Sequence, residues 1–97
     1  MNKLNINTIT KELQKRFDDI EENIESLAEK AENASEDMKN KIMDRVKTIR
    51  AKQAEAQKKF DEVKNSSESA WGELKDGVNH SLESLEVAIN QAKSEFE

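Results

Sequence analysis

The stretch Asn33-Ala34-Ser35-Glu36-Asp37 decides between two folds for this chain. Asn and Ser side chains compete for backbone hydrogen bonds, so they interrupt helices and then start new ones by capping free N–H groups. Glu36 and Asp37 follow Ser35, where carboxylates meet the positive end of a helix dipole. A turn here gives an up-down-up three-helix bundle. Without one, residues 8–64 run as a single bent helix, and a long hairpin fills its unpaired half by dimerising. Further along, Lys64-Asn65-Ser66-Ser67-Glu68-Ser69 collects more residues of the same kind and is the stronger break. Turns at both places divide a single domain, residues 1–97, into helices at about 8–33, 36–64 and 68–96. Their near-equal lengths suit antiparallel packing.

Outward from these breaks the chain has little punctuation. Pro is absent, and the two glycines, Gly72 and Gly77, lie close together. Apolar residues are 34% and charged residues 38% of the whole, too few and too many for a thick globular core. They suffice for a thin seam between helices. One line of mostly apolar positions carries that seam. It runs through Ile6, Ile9, Leu13, Phe17, Ile20, Ile24, Leu27, Ala31, Ala34, Met38, Ile42, Val46 and Ile49. It then passes Gln53, Ala56, Phe60, Val63, Ser67, Trp71, Leu74, Val78, Leu82, Leu85, Ile89, Ala92 and Phe96. Its mean step is 3.6 residues, that of a straight α-helix, where a strict heptad would step 3.5 and supercoil. Period-two alternation is missing, so the fold class is all-α, built of antiparallel coiled-coil helices. The expected core and interface anchors are Phe17, Ile20, Leu27, Ile42, Val46, Ile49, Phe60, Trp71, Leu74, Leu82, Leu85 and Ile89.

Reflection through the two turns gives an expected register. Numbers summing to 69 pair Ala31 with Met38 and Leu27 with Ile42; numbers summing to 131 pair Phe60 with Trp71 and Ile49 with Leu82. Charge adds a preference. Residues 1–37 carry a net −5, residues 38–64 a net +5 and residues 65–97 a net −5. A basic middle helix between two acidic ones draws both neighbours onto itself.

Most chemical classes find no residues to carry them. The net charge is −5, no apolar run approaches the ~18 residues that span a bilayer, and Met1 to Thr8 lacks the continuous apolar stretch of a signal peptide. With no cysteine there is no disulfide or thiol site, and a cytosolic location is the simplest expectation. Asn-x-Ser/Thr matches at Asn33, Asn65 and Asn79 are read as chance. The only histidine, His80, could share a helical face with Glu73, Asp76 and Glu83, but such a face is ordinarily solvated rather than metal-binding. The acidic run Asp18 to Glu25 has isoleucines at helical spacing and lacks the glycine of a calcium loop. No catalytic residue, cofactor or metal is therefore expected, and the chain is read as non-enzymatic. The basic run from Lys39 to Lys52 sits in an acidic chain with few aromatics, which argues against nucleic acid. A membrane-surface helix would need bulky apolar residues where Ala51, Ala54 and Ala56 stand.

Ala54-Glu55-Ala56-Gln57-Lys58-Lys59-Phe60, followed by Ser66-Ser67-Glu68-Ser69-Ala70-Trp71-Gly72-Glu73-Leu74-Lys75-Asp76-Gly77-Val78, resembles a family of small bacterial coiled-coil proteins associated with stress responses, cyanobacterial members included. The resemblance covers about residues 50–96. It departs at Leu82, where that family usually repeats an aromatic. The resemblance implies an antiparallel helical fold without catalytic residues.

The functional expectation is a small interaction protein, associated by this resemblance with stress, that works through helix–helix contacts. Its expected partner is a second copy or another protein meeting the apolar stripe. The second reading is a reversible amphipathic-helix binder of lipid surfaces, or a hydrophilin-like protectant.

Overall fold

The computed structural model describes residues 3–96, with side-chain surroundings described for residues 6–96. It is all-α: α1 spans Lys3–Glu32, α2 Glu36–Lys64 and α3 Glu68–Glu95. The chain turns at both breaks, so the single bent helix over residues 8–64 and its dimerising hairpin are excluded. Helix α1 begins about five residues earlier than expected. Asn5, Asn7, Thr8 and Thr10 are weak helix formers, but Ile6 and Ile9 pack against the core and hold these turns in place. The Thr10 hydroxyl also donates to the Ile6 carbonyl at 2.8 Å.

The two turns are built differently. Ser35 is the N-cap of α2, and its hydroxyl accepts from the Met38 N–H at 3.4 Å, with Glu36 and Asp37 in the first turn. Ser67 occupies the N-cap position of α3 but makes no capping bond. Asn65 and Ser66 instead donate back to the Asp61 and Val63 carbonyls, at 2.9 and 2.8 Å. The richer Asn/Ser cluster thus finishes α2 rather than starting α3, because it satisfies the last free carbonyls of the preceding helix.

Among the described residues every buried side chain belongs to the 3.6-residue stripe: Leu13, Phe17, Ile20, Ile24, Leu27 and Ala31 from α1, Ile42, Val46, Ile49, Ala56, Phe60 and Val63 from α2, and Trp71, Val78, Leu82, Leu85, Ile89 and Ala92 from α3. No polar or charged residue among the described ones is buried with them. Leu74, expected as an anchor, is only partly buried against this core.

The register differs from simple reflection. Phe17 stacks on Phe60 with ring centroids 5.0 Å apart and planes 23° apart, while Arg50 reaches Glu21 at 3.1 Å. Between α2 and α3, Lys59 meets Ser81 and Arg45 meets Glu95, so paired numbers sum to 140 rather than 131. The links are only three residues long, and part of each new helix's first turn is spent reversing direction. Met38, expected opposite Ala31, is 39% exposed and lies outside the core.

Gly72 and Gly77 lie inside α3 with no positive φ, and a Cβ at either would meet nothing within 4 Å. Neither turn geometry nor close packing within the chain calls for glycine there. Mid-helix glycine is less favourable than alanine by roughly 0.5–1 kcal/mol. Gly77→Ala should therefore raise stability by about that amount, read as a higher melting temperature in circular dichroism.

Candidate functional site

The helices lie side by side in a rod of 52 × 18 × 17 Å, with α2 antiparallel to both neighbours. The bundle leaves no apolar stripe uncovered among the described residues. Any functional surface must therefore come from polar flanks, grooves or the two ends.

The acidic helices α1 and α3 run parallel and touch along a seam that charge alone disfavours. Few cations are available there, and they are placed on it. Arg16 of α1 donates to Asn79 at 2.9 Å and to Glu86 at 2.6 Å. Lys93 of α3 donates to Asn23, and Lys30 donates to the Phe96 carbonyl at 3.3 Å. The Arg16–Glu86 side chains are about one-third and two-fifths exposed, so the pair is worth at most ~1 kcal/mol and selects alignment more than it stabilises.

At one end, Trp71 is 2% exposed and shares a small cavity with Ile6, Asn7, Thr10, Val63 and Glu68. The ring stacked on Phe60 is that of Phe17, from α1. The Lys75 ammonium sits 5.7 Å over the indole ring. The Trp71 Nε1 is buried without a hydrogen-bond partner. Such an orphaned donor is costly, roughly 1–3 kcal/mol.

A longer feature runs between α2 and α3 on the side away from α1. It is an open groove walled by Arg45, Thr48, Lys52, Glu55 and Lys59 of α2. On α3 the floor is made by Gly77, Ser81, Ser84 and Ala88, with Asp76, Glu83 and Val87 at the edge. The sequence held a signal for it: a second line of small residues at steps of three and four, one position before the apolar stripe. It went unread because small residues on a helix flank carry no chemistry of their own.

The other sequence candidates do not converge. Glu73, Asp76, His80 and Glu83 are all exposed along α3; the last three border the groove, and among the described residues no group of three or more His, Cys, Asp or Glu is placed to hold a metal ion. Asp18, Asp19, Glu22 and Glu25 form the exposed flank of α1. No helix of the described residues is long and apolar enough to cross a membrane.

These features define an all-α three-helix bundle with an open lateral groove. Comparison of the chain with protein-family models, curated proteins and solved structures gives no match.

Proposed function

We propose that this chain is a non-enzymatic, cytosolic interaction module, associated with stress responses, that works through helix–helix contacts with a second copy or a protein partner. The observation supporting this most is how the apolar residues are spent. Eighteen of them fill one continuous core, and the outer faces are left mainly to charged and small side chains, with Met38, Met43 and Val87 the large apolar residues exposed among the described ones. Such a molecule presents a stiff helical surface, and among the described residues no polar or charged side chain is buried where a nucleophile and a base could be held together. The stress association rests on the Ala-Trp-Gly-Glu-Leu-Lys-Asp-Gly resemblance over residues 70–77.

The same core weighs against lipid-surface binding. A surface helix needs a free apolar face, and here that face would become available only by opening the bundle. Circular dichroism with and without anionic vesicles tests this. The expected result is a cooperative melt in dilute buffer, with helix content unchanged by vesicles. Helix that forms only on vesicles would overturn the proposal in favour of a lipid-induced protectant.

A further inference from the structure

We propose that the α2–α3 groove is a self-association surface, on which a second copy docks about a two-fold axis parallel to the rod, placing α2 of each copy against α3 of the other. This rests on the interaction reading above and gives it a surface and a partner.

The first argument is shape. Gly77, Ser81, Ser84 and Ala88 leave the groove floor low, so another helix can approach closely. Gly77 carries most of this argument. It costs helix stability, its φ is ordinary, and a Cβ there would enter open space. Nothing within the chain calls for it; the same is true of Gly72, but only Gly77 lies on the groove floor, where the missing side chain leaves room for a backbone arriving from outside.

The second argument is charge. Lys52 and Lys59 line the α2 edge with Glu55 between them, and Asp76 and Glu83 line the α3 edge with His80 between them. The Lys52 side chain makes no ion pair or hydrogen bond among the described residues. A face with one basic and one acidic row complements itself when a two-fold runs along the rod, because each basic row then lies over the partner's acidic row. A two-fold across the rod would set basic on basic. The heights also agree. Since α2–α3 pairs sum to 140, Glu83 lies level with residue 57, two residues from Lys59 and equally from Glu55, so Lys59 is the basic partner nearest to it.

The third argument is area. A broad side of a 52 × 18 Å rod offers on the order of 900 Å², against the ~800 Å² each partner gives to an interface of standard size. Val87, 55% exposed, is the one large apolar side chain exposed along this groove. An interface made mainly of small residues and ion pairs is weak, reversible and sensitive to salt.

Sedimentation of the full chain from roughly 10 μM to 1 mM, the range where weak dimers dissociate, tests the inference together with two charge-reversed variants. One is Lys52→Glu with Lys59→Glu; the other is Asp76→Lys with Glu83→Lys. Wild type should dimerise, and less so at high salt. Each variant should melt like wild type yet dimerise at least tenfold more weakly. An equimolar mixture of the two should associate again, because both rows are restored across the mixed pair. Gly77→Leu should keep the fold and abolish the dimer. Variants that dimerise as wild type does would overturn the choice of face and leave self-association standing. A wild type that stays monomeric throughout would overturn self-association, leaving the non-enzymatic bundle to be judged by its melting. Lysine-dependent binding to anionic vesicles without dimerisation would assign the groove to lipid and overturn the inference.

Discussion

Trp71→Ala should destabilise the protein by ~3–5 kcal/mol, because it empties a buried site at the end of the bundle that neighbouring side chains can refill only in part. For a domain of this size that corresponds to a fall in melting temperature of roughly 10–40 °C. The indole closes the core where the first turns of α1, the end of α2 and the start of α3 meet. Trp71→Phe separates packing from hydrogen bonding at the same place. It keeps an aromatic ring but removes the Nε1 donor, which has no acceptor. Lost volume and relieved desolvation then oppose each other, and the change should stay within about 1 kcal/mol of wild type. A Phe variant as unstable as the Ala variant would mean that the N–H is satisfied in solution. Urea and thermal melts by circular dichroism decide both, since the substitutions remove the only tryptophan available to fluorescence.

Phe60→Ala is expected to cost a similar ~3–5 kcal/mol. Phe60 is fully buried and stacks on Phe17, so part of its contribution is shared between α1 and α2. A double-mutant cycle with Phe17→Ala should return a coupling of about 0.5–1.5 kcal/mol beyond the area each ring buries. A coupling near zero would show that the two rings act only as separate apolar bulk. The Lys64 ammonium lies 4.8 Å above the Phe60 ring but also pairs with Asp61 at the surface, and its loss should matter far less.

The fold was legible in the chain to an unusual depth, for a local reason. A helix presents the same face every 3.6 residues, so membership of the core is written in spacing alone. That is why all the buried residues fall on one line from Leu13 to Ala92. The breaks at Asn33–Asp37 and Lys64–Ser69 were equally local, since a few side chains that compete for backbone hydrogen bonds suffice. The groove was harder to see. Gly77, Ser81, Ser84 and Ala88 become a surface only when α2 stands beside them, and neither helix alone contains that relation.

What the sequence determined by itself, then, is that the chain is helical, which face of each helix is apolar, and that two short stretches can end a helix. Tertiary structure decided that both stretches turn, that Met38 is left outside the core, and that Arg16 and Lys93 bridge two acidic helices and set their alignment. The division follows from the range of the forces. Helix propensity, capping and periodicity act within a few residues of one another. Register and the α1–α3 seam depend on groups 63–70 residues apart, and those meet only after the core has closed.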